Sequence, residues 1–238
     1  MKKNLFSILI IMVFFFTSTG NTVVKANQIN IPVTAGVSLN SDLFRINYQS
    51  INYSNFNQFI KTVTTKHVGK QNVGLIVPKK FTLPISQQPS GRPDYVSTEP
   101  EVVTEFSLAR QYGSTGFLAH NNLAGSHFAD LKINDLIVLV TASKEYKLYQ
   151  IENVLSFQAL EPNNPYSNFV DLDNNQVLSA VELFMEVYAN EGTVVIQTCI
   201  EKNGEPSWGR LFIQAVPVSG IGIEELIDFE QQRIRLMY

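Results

Sequence analysis

A succession of short apolar runs, each closed off by turn-forming residues, restricts most what this chain can fold into. Val73 to Val77, Phe81 to Ile85, Gly116 to His120, Leu136 to Thr141, Tyr146 to Val154, Thr193 to Ile200 and Leu211 to Val216 have the length and residue types of strands. Pro78, the loop Ser86 to Ser97 (SQQPSGRPDYVS), Ser143-Lys144-Glu145 and Lys202-Asn203-Gly204-Glu205-Pro206 punctuate them. Helical patterns are few. After Pro100, Val102, Val103, Phe106 and Ala109 recur at helical spacing, which predicts an amphipathic helix over Glu101 to Gln111. Ser179 followed by Glu182 forms a capping box ahead of AVELFMEVYA, and a short helix is expected around Phe56 to Val63. Many short strands with two or three short helices predict a mainly β fold, a closed antiparallel β-barrel. At 238 residues and 45% hydrophobic, the chain can close a core without disulfides or metals.

The first 26 residues read as an export signal and not as part of that fold. Lys2 and Lys3 form a positive start, Leu5 to Phe16 is an apolar run, and Val24-Lys25-Ala26 offers a small-residue cleavage site. Twelve helical residues rise only about 18 Å, short of a bilayer core of about 30 Å. Cleavage is therefore expected over anchoring, and the localisation is secreted or extracytoplasmic at the cell surface. An uncleaved N-terminus would make it membrane-anchored. Residues 27–69 are an Asn-rich spacer with interleaved aromatics, 70–217 the barrel domain, and 218–238 a tail with a short amphipathic pattern. Loss of residues 1–26 leaves 15 basic against 21 acidic side chains, a charge of −6. That balance lacks the basic footprint of nucleic-acid binding.

The chain has one cysteine and three histidines. A single cysteine excludes an internal disulfide, a Cys-rich zinc site and an iron–sulfur cluster. In an oxidising compartment an unpaired cysteine is either buried and inert or kept for chemistry. Cys199 follows the apolar run Val194-Val195-Ile196-Gln197-Thr198, and Arg210 is expected to open the next strand after a Gly/Pro/Trp loop. His120 ends Gly116-Phe117-Leu118-Ala119. A guanidinium beside a thiol favours the thiolate and can donate to an oxyanion. A histidine at a strand end can trade protons with a nucleophile and a leaving amine. Taken singly, each residue is more often structural: a small core thiol, a rim ion pair, a hydrogen-bonded imidazole. Their joint order is what acyl transfer by a thiol needs.

At these residues the sequence resembles the sortase family of bacterial surface transpeptidases. The resembling stretches are GFLAHNNLAGSHFADLKINDLIVL (116–139) and VVIQTCIEKNGEPSWGRLFIQAVP (194–217), with VGLIVPKKFTLPI similar to the family's first two strands. The family's pattern falls on His120, then Phe128 and Leu131, Asn134-Asp135-Leu136-Ile137, Thr198-Cys199 and Arg210. Two positions depart from it: Ala119-His120 stands for Ala-Gly-His, with Leu-Ala-Gly displaced to 123–125, and Asn134 stands for a glycine. The displacement makes His127 a rival acid/base, but no strand run leads into it, so His120 is preferred.

The resemblance implies a sortase-like barrel and an exported cysteine transpeptidase. Cys199 would attack a backbone carbonyl in a C-terminal sorting signal of another protein, His120 would protonate the leaving amine, and Arg210 would stabilise the oxyanion. The implied partners are a peptide or protein carrying that sorting motif and an amine acceptor, a cell-wall precursor or a pilin lysine. Two alternatives stay open, a hydrolytic cysteine peptidase and a non-catalytic exported peptide-binding module on the same barrel. Leu83-Pro84-Ile85-Ser86 lacks a following glycine, so an enzyme and not a substrate is expected. No cofactor is implied. Calcium is a side possibility, because Asp171, Asp173, Asn175 and Glu182 match much of a calcium loop. Gln176 at the glycine position, and Pro162 and Pro165 before it, favour a plain polar loop running into the helix that Ser179 caps.

Overall fold

The structure, a computed structural model, describes residues 37–38, 53–65, 67–164 and 166–219. The expected export signal and the tail beyond Ser219 lie outside the described residues. Eight strands form a closed ring: β2 (Asn72–Val77), β3 (Phe81–Gln87), β4 (Val103–Phe106), β5 (Thr115–Leu118), β6 (Leu136–Thr141), β7 (Tyr146–Ala159), β10 (Val194–Lys202) and β11 (Glu205–Ser219). Around the ring their order is β11-β10-β5-β4-β3-β2-β6-β7, and the antiparallel pairing of β7 with β11 closes it. The short hairpin β8 (Phe169–Asp171) and β9 (Val177–Leu178) continues from β7, and β1 (Val37–Ser38) lies along the end of β11.

The expected mainly β barrel is present, with mixed rather than wholly antiparallel pairing. β3 runs parallel to β4, and β5 parallel to β10. Parallel neighbours need a crossover and cannot be joined by a tight turn. The chain between Gln87 and Val103 supplies one crossover, and the whole passage from β5 to β10 supplies the other.

Continuous apolar runs form many of these strands because both of their faces are covered. Leu75, Leu83, Phe117, Phe128, Ile137 and Ile196 fill the barrel interior. Outside, α1 (Tyr53–Thr65) lays Phe56, Ile60 and Val63 over Val73, Ile76, Val138 and Val140 of β2 and β6. On another side α3 (Ala180–Tyr188) lays Leu183, Phe184, Val187 and Tyr188 over Leu118, Val195 and Phe212. The capping box ahead of α3 forms as expected: Ser179 accepts from the Glu182 N–H, and the Glu182 carboxylate accepts from the Ser179 N–H at 2.8 Å.

Two local expectations change. The helix over Glu101 to Gln111 divides into β4 and a short α2 (Ser107–Gln111). Val103 points into the barrel and Phe106 to the outer core, an alternation that requires a strand there. The loop before Arg210 also shortens, to the two residues Asn203 and Gly204 at φ 56° and 81°. Two successive left-handed residues make a tight hairpin turn, for which Asn-Gly is well suited. Arg210 is therefore inside β11 and Cys199 inside β10, rather than at strand ends.

Candidate active site

β5, β10 and β11 are consecutive in the ring, and their registers bring the three predicted residues into one row. Cys199 and Arg210 are directly opposed partners across the antiparallel β10–β11 pair. Directly opposed Cβ atoms in such a pair lie about 4.5–5.5 Å apart. On the other side of β10, Gln197 pairs with Leu118. The Ala119 N–H donates to the Gln197 carbonyl at 3.2 Å, and Thr198 Oγ1 donates to the Ala119 carbonyl at 2.9 Å. Continuing that register brings His120 abreast of Cys199.

The three also share a face. Ile196 and Ile213 point into the barrel, whereas Val195 and Phe212 point to the outer core under α3. Alternation then puts Cys199 and Arg210 on the outer side. Leu118 packs in the outer core and Ala119 in the interior, so His120 falls on the outer side too, where a hydrogen bond joins it to the Val96 backbone.

Each residue has a distinct environment. Cys199 is half-buried and unpaired. Arg210 is 1% exposed; its Nη1 donates to the carbonyls of Ser207 at 3.0 Å and Gly209 at 2.8 Å, and its guanidinium lies 5.8 Å from the Phe169 ring centre. Burial pulls His120 below its ordinary value of 6.5, a shift that the hydrogen bond to Val96 opposes. At neutral pH the imidazole is accordingly uncharged and able to accept a proton. A thiol between a neutral imidazole and a fixed guanidinium has the components of nucleophilic acyl transfer.

The rival histidine has other partners. His127 lies in the 3₁₀-helix η1 (Ala124–Asp130), with Nε2 2.7 Å from Glu101 Oε2 and its ring against Phe81. The calcium-like segment is the β8–β9 turn. Asp171 accepts there from the Asp173 N–H at 2.8 Å and from Asn174 Nδ2 at 2.8 Å, while Glu182 is engaged by Ser179. A strand and not a helix leads into it. Among the described residues, no group of three or more His, Cys, Asp or Glu side chains could hold a metal ion.

Sequence reasoning missed the residues that hold the row in place. Asn121 Nδ2 donates to the Pro206 carbonyl at 3.1 Å, tying the chain after His120 to the arm of β11. Tyr188 of α3 donates its hydroxyl to Gln197 Oε1 at 2.6 Å. Gly125 donates its N–H to the His120 carbonyl at 3.0 Å. Only the displaced Leu-Ala-Gly hinted at Gly125, and nothing in the sequence marked Asn121 or Tyr188.

No family model matches the chain, and no curated protein does. Solved structures similar to it include sortase A from Listeria monocytogenes, at 12% identity and TM-score 0.41 over 61% of this chain and 85% of that one. Another is sortase E1 from Streptomyces coelicolor with a tripeptide in the active site, at 16% and 0.40 over 63% and 89%. A third is sortase C-1 from Actinomyces oris, at 12% and 0.42 over 68% and 80%. The closed barrel of this chain rests on its own strand pairings. Among the described residues, no helix is long and apolar enough to cross a membrane.

Proposed function

We propose that the chain is an exported cysteine transpeptidase acting on peptide or protein substrates. The observation that carries this reading is the row His120–Cys199–Arg210 on one face, with Cys199 and Arg210 paired in β10 and β11 and His120 two residues past the end of β5. The order of the same residues in the sequence motif supports it independently.

The neutral His120 imidazole takes the thiol proton as Cys199 Sγ forms a bond to a substrate backbone carbonyl carbon. Negative charge then develops on the carbonyl oxygen, and the Arg210 guanidinium stabilises it by hydrogen bonding. Collapse breaks the C–N bond; the leaving amine takes the proton from His120, and a thioester on Cys199 remains. A primary amine attacks the thioester, loses its proton to His120, and releases the thiol. Water in place of the amine completes a hydrolysis instead.

Intact-mass analysis after incubation with a peptide library tests the reading, with and without added amines. The expected result is an acyl adduct on Cys199, absent in Cys199→Ala, that decays faster and yields amide products when amine is present. Free acid as the sole product would assign a peptidase. A Cys199 that resists a thiol-directed electrophile until the protein is unfolded would overturn the catalytic reading.

A further inference from the structure

Gly125 sits at the joint between β10, which carries Cys199, and the chain that leaves β5 through Ala119 and His120. It is buried in η1, and its N–H holds the His120 carbonyl at 3.0 Å. A Cβ added there would lie 2.6 Å from the same carbonyl oxygen and 2.9 Å from its carbon, and would overlap Thr198 Oγ1. Thr198 Oγ1 is in turn committed to the Ala119 carbonyl, the residue before His120. The backbone on both sides of His120 and the residue before Cys199 therefore converge on the space that a side chain at 125 would fill. The atoms that would have to yield include backbone, so the clash cannot be relieved by rotating a flexible side chain.

We propose that Gly125 is a positioning residue. By docking η1 against the Thr198–Ala119 bond and the His120 carbonyl, it sets the separation between the imidazole and the thiol. The inference rests on the reading that these two groups exchange a proton. Alanine at this position is expected to push His120 away from Cys199, out of its half-buried place, without altering the substrate contacts of Arg210.

The test compares Gly125→Ala with Gly74→Ala, whose added Cβ would press on Phe59 at 2.9 Å beneath α1. Thermal unfolding, kcat and KM on a peptide substrate, and NMR titration of the His120 imidazole are measured for each. With three histidines in the chain, substitution of His67 and His127 assigns the His120 signal. For Gly125→Ala the expected result is kcat lowered by about tenfold or more with KM little changed, and a His120 midpoint moved up toward 6.5. Gly74→Ala should lower thermal stability alone. A Gly125→Ala protein that keeps the parent's kcat and His120 titration would overturn the proposal. If Gly125→Ala does not fold, Thr198→Val removes the shared hydroxyl while keeping its shape. It should move the His120 midpoint in the same direction, and an unmoved midpoint refutes the proposal. The two readings fail separately. A His120 midpoint that moves in a protein without any turnover leaves the positioning role standing and removes the transpeptidase. Turnover with an unmoved midpoint does the reverse.

Discussion

Arg210 and His120 are both held away from full solvent contact, and the expected behaviour of each follows from its surroundings. Arg210 is the largest fully buried side chain among the described residues, held by two backbone carbonyls. Its replacement by alanine is expected to lower kcat by about 10²–10³-fold, the usual consequence of losing an oxyanion donor. Lysine keeps the charge but lacks the planar fork, so Arg210→Lys should remain closer to the alanine variant than to the parent. Steady-state kinetics on a peptide substrate check both. His120 makes a pH prediction of definite sign. Its folded value lies below the unfolded 6.5 because burial disfavours the cation. Protonation removes the base, so the acid limb of kcat/KM should fall below 6.5. Stability follows the same direction. Between the two values the unfolded chain binds more protons, so the contribution is complete above 6.5 and is lost as pH falls toward the folded value. Urea unfolding at about pH 7.5 and about pH 5.5 should show this loss in the parent and a smaller one in His120→Gln.

At the scale of elements, the strands and the α3 cap were legible because their signals are local. Asn203-Gly204 also marked a turn, but not how short it is. Glu205 to Gly209 looks like a loop by its Pro and Gly, yet it belongs to β11: Glu205 pairs with Lys202 and Gly209 with Ile200 of β10, and from Gly209 onward β7 pairs on the other side. Val102 to Ala109 misled in the opposite sense: helical spacing lost to the requirement that Val103 and Phe106 enter different cores. The proposed site residues His120, Cys199 and Arg210 could be chosen from their order in the chain. The joint at Gly125 could not, since it depends on atoms brought together from η1, β5 and β10. The α3 cap gives a further check. Ser179→Ala should cost about 1 kcal/mol, and in a protein of this size that lowers Tm by about 2–4 °C. Calorimetry measures it, and kcat should change little because Ser179 caps the start of α3, at the opposite end of the helix from the Tyr188–Gln197 bond.

Over the whole molecule, the barrel is supported from outside as well as within. α1 falls inside the stretch expected to be a spacer, yet Ile60 is buried against β2 and β6. Ile60→Ala is expected to cost about 2–5 kcal/mol, read as a lowered urea midpoint with the active-site thiol still reactive in the folded protein. Closure of the ring through β5 and β10 has another consequence, in the order of assembly. Cys199 meets Arg210 across a hairpin whose turn is two residues long, whereas the bond joining Thr198 to Ala119 spans 79 positions. Closing the longer loop costs about 1.7 kcal/mol more in chain entropy than closing one of about 11 residues. That seam also rests on four paired positions, Thr115 to Leu118. During refolding, amides of β10 and β11 should thus gain protection from pulsed hydrogen exchange before those of β5. On the proposed reading, Cys199 finds its guanidinium early and its proton carrier last, so a chain still folding would carry a thiol not yet competent for acyl transfer.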